Sequence, residues 1–144
     1  MVSRFKVSDF IYTDGLTKAV VEKIERYHLP VVEKLPAITY IVGFRSFAHE
    51  IRQGRSGTSQ HTFEGKGAVD LGSSDMVYLL DALVETPYTR ICMYEGFFHC
   101  DYKTSDRRYY IDREGWDRVE LDELKKEVYE FERSRSVDIL YTIA

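Results

Sequence analysis

The sequence predicts an α+β fold, built as one domain with a largely antiparallel sheet and flanking helices. The chain has 144 residues, and domains of roughly 100–200 residues are the rule, so we expect a single domain over 1–144. Segments with helical spacing are mixed with β-rich segments, and two of the latter, 88–94 and 96–102, follow each other closely enough to form a hairpin. Hairpin-like pairs among mixed elements are typical of α+β proteins.

The first half of the chain predicts two helices and a strand. Apolar residues recur at helical spacing over 14–27, and this segment ends before Pro30, as a helix should. His28 lies at that end, where a cationic side chain favours the helix dipole. Residues with high β-propensity over 38–44 predict a strand, and a short helix is expected over 46–53, followed by a polar loop.

The second half predicts further strands and two helices. The strands are expected over 67–71, 88–94, 96–102 and 108–111. After the first of them, apolar residues from Met76 to Leu83 predict a helix with a serine at its cap position. A last helix is expected to begin near Asp117 or Asp122, and the loosely alternating tail over 137–143 predicts an added strand.

Composition argues against several classes of protein. The chain carries 20 Lys and Arg against 24 Asp and Glu, a formal net charge of −4, so it offers no broad basic field for nucleic acid. Its uncharged apolar stretches fall far short of the roughly 20 residues that membrane insertion requires. No apolar segment follows the first residues as in a signal peptide, which predicts synthesis in the cytoplasm. Cys92 and Cys100 are too few for a disulfide scaffold and are expected to be buried thiols.

Two of the four histidines stand in patterns that suit metal binding. His61 ends a polar loop, and Asp70 follows it in a strand of small residues. His99 lies on a β-like segment two residues before Asp101, so both side chains share one face of the strand. A catalytic zinc takes three protein ligands and leaves its fourth position open for water. His61, Asp70 and His99 could supply that set, and histidines with purely structural hydrogen bonds are the alternative.

Four short motifs, in order along the chain, resemble a family of zinc peptidases. They are Phe44-Arg45-Ser46, Ser59-Gln60-His61, Gly67-Ala68-Val69-Asp70-Leu71 and Phe98-His99-Cys100-Asp101. The pattern is similar to the D-alanyl-D-alanine carboxypeptidase and murein endopeptidase group, which is structurally related to lysostaphin and to the hedgehog signalling domain. The opening segment, Phe5-Lys6-Val7-Ser8-Asp9-Phe10, looks like that of phage and prophage members. The resemblance runs from Phe5 to Tyr102, about two thirds of the chain.

The resemblance implies an active site centred on zinc. His61, Asp70 and His99 match the metal ligands of the family, and Zn²⁺ is the implied cofactor. Arg45 matches an arginine that binds the scissile carbonyl oxygen or the carboxylate of the peptide. A guanidinium suits this role because it keeps its charge and its donors can stabilise a developing oxyanion.

The loop that carries the first ligand is longer than in the family. Ser59 and Gln60 match residues that shape this loop, and they are candidate substrate-binding residues. Eight residues separate His61 from Asp70, where the family pattern has six. Because an even insertion preserves the alternation of an extended segment, Asp70 stays on its original face. Glu64, within the longer loop, becomes a competing ligand.

The general base is the second departure from the family. Many relatives place a carboxylate three residues before the last ligand, but position 96 is glycine and position 97 is phenylalanine. Asp101 and Glu95 are the remaining catalytic candidates, and both are expected on the strand face that carries His99. Asp101 ranks first because fewer residues separate it from the ligand. The alternative for Asp101 is that it orients a ligand histidine.

The implied function is zinc-dependent hydrolysis of peptide bonds in the stem or cross-link peptides of bacterial peptidoglycan. Such a metallopeptidase would be a carboxypeptidase or endopeptidase for cell wall degradation, either a phage endolysin released by a holin or an enzyme carried in the virion. The motifs lie within 5–110, and the helix and tail over 111–144 are assigned to structure. A non-catalytic zinc-containing module of the same fold is the alternative, and an unrelated domain without metal is a third.

Overall fold

A six-stranded sheet forms the centre of the molecule in a computed structural model that describes residues 4–57 and 59–143. The strands are β1 (Ile38–Val42), β2 (Ala68–Ser73), β3 (Arg90–Tyr94), β4 (Phe97–Asp101), β5 (Arg108–Asp112) and β6 (Trp116–Val119). They lie in the order β1-β2-β4-β3-β5-β6. Neighbouring strands are antiparallel, except that β3 and β5 are parallel. The predicted α+β fold with a largely antiparallel sheet is confirmed.

Helices flank this sheet. The α-helices of the described residues are α1 (Lys18–Lys23), α2 (Leu29–Val32), α3 (Phe47–Arg52), α4 (Met76–Leu83) and α5 (Leu121–Ile143). A π-helical turn, Ile24–His28, joins α1 to α2. Helical structure therefore continues past Pro30, because the first turn of a helix tolerates proline. None of the helices described is both long and apolar enough to cross a bilayer.

The sheet has a core face and a second face, which we call the site face. Alternate residues of a strand point to opposite faces. Val69 of β2 and Phe98 of β4 are buried in the hydrophobic core, which also contains side chains of α4 and α5. Next to them in sequence, Asp70 and His99 are direct cross-strand partners, and Cys92 of β3 is paired with His99. These three residues therefore lie side by side on the site face.

Three local features differ from the sequence-based expectation. The tail over 137–143 adds no strand but is the last part of α5, which contains no glycine or proline to end it. The unpredicted β6 has two charged residues among its four, and Gly115, with a φ of 114°, turns the chain back onto β5. Finally, α4 is capped by Asp75 rather than serine, since Asp75 Oδ1 accepts from the Tyr78 N–H at 3.1 Å.

His28 is a buried, hydrogen-bonded residue and not an exposed cation at a helix end. Its Nε2 donates to the Lys66 carbonyl oxygen at 2.8 Å, and its Nδ1 lies 2.9 Å from the Tyr88 hydroxyl. Neutral imidazole satisfies both contacts, with one nitrogen donating and the other accepting. Burial lowers the pKa of His28 to about 4. The prediction that a charged His28 favours the helix dipole is therefore wrong.

We expect His28 to make the fold less stable in mild acid. The unfolded chain takes up a proton near pH 6.5 and the folded chain only near pH 4, so stability falls as the pH drops through this window. Between pH 7 and pH 5, His28 should lower the free energy of unfolding by about 2 kcal/mol. Urea titrations in the presence of a chelator should show this loss, and His28→Gln should show a correspondingly shallower pH dependence. Equal slopes for the two proteins would contradict the assignment.

Candidate metal centre

Three side chains from three separate elements converge above the site face. His61 comes from a 3₁₀ turn, Gln60–Thr62, while Asp70 and His99 come from the middle of β2 and β4. His61 Nε2 lies 3.1 Å from Asp70 Oδ1 and 3.2 Å from His99 Nδ1, and Asp70 Oδ1 lies 3.1 Å from His99 Nδ1. The structure thus brings together the three residues that the sequence suggested as metal ligands.

Each imidazole has one outer nitrogen, which points away from Asp70, and the hydrogen bond of this nitrogen shows where the ring carries its proton. His61 Nδ1 donates to the Gly43 carbonyl oxygen at 2.7 Å, and His99 Nε2 donates to Asp101 Oδ2 at 2.7 Å. Since a carbonyl and a carboxylate only accept, both outer nitrogens must carry the proton. In neutral rings, the other two nitrogens, His61 Nε2 and His99 Nδ1, then carry lone pairs. These lone pairs face each other and the carboxylate of Asp70.

Three acceptors at such short distances require a cation or extra protons between them. In a tetrahedral zinc site with bonds of about 2.0–2.1 Å, neighbouring ligand atoms lie about 3.3 Å apart. The separations of 3.1–3.2 Å within this group are close to that value. Two imidazoles and one carboxylate are also a donor set that zinc accepts in catalytic sites. The residues present therefore fit a zinc ion.

Burial and charge set the protonation of the group. Burial alone would raise the pKa of Asp70. Without a metal, hydrogen bonds from His61 and His99, which form when these rings carry the extra protons, outweigh burial and hold the pKa of Asp70 well below its usual range. Burial lowers the pKa of His61. Burial would also lower the pKa of His99, but the carboxylates of Asp101 and Asp70 raise it. An anionic Asp70 is the state that a metal ligand needs.

Asp101 supports His99 from the side of the ring opposite the three converging atoms. It is fully buried, and Arg90 donates to it from Nε at 2.8 Å and from Nη2 at 2.5 Å. The Lys103 backbone N–H also donates to Oδ1 at 3.0 Å. A general base must reach the reacting water, whereas this carboxylate is saturated by its partners and separated from the site by the imidazole. The geometry corrects the first-ranked role of Asp101 and supports the alternative, orientation of His99.

Glu95 does not reach the site either. It lies with Gly96 in the turn between β3 and β4, so the alternation of the strand does not carry it onto the face of His99. Its side chain is exposed and lines a groove of about 670 Å³ beside α5, which none of the three converging residues touches. The expectation that Glu95 shares the face of the ligands is wrong. Glu64, the competing ligand, is exposed and outside the converging group.

Ser59 and Gln60 build the turn that presents His61. Ser59 Oγ accepts from the His61 N–H at 3.2 Å, and the Gln60 carbonyl accepts from Phe63 N at 3.1 Å. Phe63 ends the turn with a φ of 61°. These contacts agree with a loop-shaping role. Neither Ser59 nor Gln60 lines the cleft beside Asp70, so their predicted contact with substrate has no support from the geometry.

A cleft of about 270 Å³ opens beside Asp70. Its walls include Tyr12, Tyr40, Arg45, His49, Arg55 and Phe97. Arg45, the arginine expected at the reacting group, is joined to the ligand turn because its backbone N–H donates to the His61 carbonyl at 2.8 Å. The cleft therefore combines cationic and aromatic side chains with Asp70, the most exposed of the three candidate ligands, whose side chain is 13% exposed.

Two further residues near the site, Glu50 and Trp116, belong to none of the four motifs. Glu50 is fully buried and lies 3.0 Å from Arg45 Nε and 3.1 Å from Arg55 Nη1. Trp116 places its ring centroid 5.0 Å from that of His99, with the Arg90 guanidinium 4.7 Å from the tryptophan centroid. No sequence motif marks either residue, because Glu50 belongs to an ordinary helical segment and Trp116 to a strand that was not predicted.

Comparisons of the chain with protein families, with curated proteins and with solved structures found no match.

Proposed function

We propose that this protein is a zinc-dependent peptidase that hydrolyses peptide bonds in the stem or cross-link peptides of peptidoglycan. The observation that carries the metal site is the set of three acceptor atoms at 3.1–3.2 Å from one another, with both outer ring nitrogens committed to other partners. The cleft beside Asp70 supports a catalytic site over a closed structural one. The substrate class rests on the order of the four motifs and their resemblance to peptidoglycan peptidases.

Each residue of the site has a distinct part in this proposal. His61, Asp70 and His99 would hold the metal, while Asp101 keeps the ring of His99 in one tautomer and orientation. Zinc, when bound there, supplies a Lewis acid for the carbonyl and lowers the pKa of water towards neutrality. Arg45 would bind the carbonyl oxygen as it gains negative charge, or a carboxylate of the peptide.

His49 is the residue in the cleft that we assign to proton transfer. It is half-buried, its ring contacts Tyr12 edge-on at a centroid distance of 5.7 Å, and within the described residues it forms no ion pair. Histidine is the most common general base in enzymes. His49 would take the proton that the attacking water loses and return it to the amine that leaves when the C–N bond breaks.

Replacing His49 with alanine is expected to lower kcat roughly 10²- to 10⁴-fold without loss of zinc. The reason is that the chain would keep its ligands but lose the group that moves the proton. Steady-state kinetics and metal content on the same sample check this, and added imidazole should restore part of the rate. An unchanged kcat would remove His49 from the mechanism.

The experiment that tests the proposed function joins metal analysis with product masses. Untagged protein is expected to bind one zinc per chain and to convert purified muropeptides into products that together have gained one water. Protein without affinity for zinc would contradict the proposal outright. Zinc binding without turnover at any pH would instead favour the non-catalytic module. That alternative is also favoured by the positions of Asp101 and Glu95, since neither carboxylate is placed to act as the general base.

A further inference from the structure

We infer that Arg55 is a specificity-determining residue that binds a carboxylate of the substrate, and that Glu50 is the positioning residue that holds Arg55 in place. This inference rests on the proposed function, since it names the chemical group that the cleft selects. Neither residue belongs to the motifs that suggested a peptidase. The inference is based on three residues: Arg45 and Arg55 line the cleft next to Asp70, and Glu50 forms ion pairs with both arginines.

Glu50 holds two arginines at once from a position without solvent contact. One oxygen, Oε1, lies 3.0 Å from Arg45 Nε, and the other, Oε2, accepts from Arg55 Nη1 at 3.1 Å. The backbone N–H of Arg55 also donates to the Glu50 carbonyl at 2.9 Å. Arg55 is therefore anchored through both its main chain and its side chain, which lowers the entropy that it loses when it binds a ligand.

The charges around the cleft do not balance. Glu50 supplies one negative charge for two guanidiniums, and the carboxylate of Asp70 is engaged with His61 and His99. One positive charge is left over on the cleft wall. The side chain of Arg55 is 47% exposed, so its remaining donors can be reached. A guanidinium fork matches a carboxylate in shape and in charge, which makes a carboxylate the best-suited partner.

The position of this pair ties the carboxylate to the reacting bond. Arg45 shares Glu50 with Arg55, and its backbone is hydrogen-bonded to the turn that carries His61. A carboxylate on Arg55 would therefore belong to a residue close to the scissile bond. It could be the terminal carboxylate of the peptide or the side-chain carboxylate of a neighbouring acidic residue, and these two sources require separate tests.

Four synthetic stem peptides distinguish the sources. One pair differs only in a terminal carboxylate against a carboxamide, and the other only in a glutamate against a glutamine beside the scissile bond. The zinc-loaded protein is expected to prefer the acid of one pair roughly tenfold in kcat/KM, mainly through KM. Arg55→Gln should abolish this preference and leave the zinc content unchanged, and Glu50→Gln should reduce it.

Arg52→Gln is the matched control, because Arg52 is exposed at the end of α3, three residues before Arg55, but lines a different groove. It should keep the full preference. Equal rates on all four peptides, or an Arg55→Gln variant that still prefers the acid, would overturn the inference while leaving the peptidase intact. If no peptide is cleaved, the proposed function fails, and calorimetric binding of the same peptides still decides the role of Arg55. Should Glu50→Gln not fold, the Arg55→Gln comparison stands alone.

Discussion

An Asp70→Ala variant is expected to lose zinc binding and, with it, all measurable hydrolysis. The substitution removes the carboxylate and leaves two lone-pair nitrogens, His61 Nε2 and His99 Nδ1, at 3.2 Å from each other. Two neutral ligands hold zinc far more weakly than the same two ligands together with an anionic third. The loss of zinc affinity should therefore exceed the roughly 10- to 100-fold effect of replacing a residue that only orients a ligand. Competition with a chromogenic chelator gives the dissociation constant directly.

Glu64→Ala is the control for this experiment. Glu64 is the carboxylate that the loop between His61 and Asp70 offers as a competing ligand, and it is exposed and outside the converging group. Its removal should leave zinc affinity and activity unchanged. If Glu64→Ala lost zinc and Asp70→Ala retained it, the ligand set derived from the geometry would be wrong.

For Asp101→Asn, we expect a dissociation constant for zinc that is roughly 10- to 100-fold weaker. The amide cannot match the carboxylate that accepts from His99 Nε2 at 2.7 Å, so the ring loses its fixed tautomer. Arg90 also loses the negative charge beside its guanidinium and one of the two oxygens to which it donates, which should destabilise the zinc-free fold by about 3 kcal/mol. Chelator competition and urea unfolding measure the two effects.

The same variant separates the two roles considered for Asp101. Loss of a general base would lower kcat at saturating zinc and leave the zinc affinity unchanged, whereas loss of an orienting group weakens zinc binding first. Asp112→Asn serves as control, because Asp112 is an exposed carboxylate at the end of β5, which β3 separates from the strand of Asp101. A normal zinc affinity together with a lost kcat would restore Asp101 as the base.

The convergence of His61, Asp70 and His99 could be predicted because four motifs in order resemble those of zinc peptidases and because all three residues lie on elements with clear local signals. Alternation fixes which residues of one strand share a face, and the pairing of Asp70 with His99 across β2 and β4 then puts both on the same face. His61 depends on a turn that Ser59 caps, and a serine before a polar turn is visible in the sequence. The eight residues between His61 and Asp70 allow both side chains to reach one point.

The roles around the centre could not be predicted, because they depend on contacts between distant residues. Asp101 is an orienting group because Arg90, on the adjacent strand, occupies its oxygens as a hydrogen-bond donor. The spacing of Arg90 and Asp101 in the sequence does not show that their strands are adjacent. The role of Glu50 depends on its burial and on its ion pairs with two arginines, which lie five residues before and five residues after it. The tail over 137–143 is a similar case: its sequence alternates like a strand, but the segment continues the helix that begins at Leu121.

X-ray absorption at the zinc edge, on protein loaded with one equivalent of zinc, tests the central claim most directly. We expect a first shell of nitrogen and oxygen at about 2.0–2.1 Å, with the multiple-scattering pattern of two imidazoles and no sulfur. A sulfur shell at about 2.3 Å, which would draw on Cys92 or Cys100, would contradict the ligand set. So would a spectrum with a single imidazole, because the converging group requires both His61 and His99.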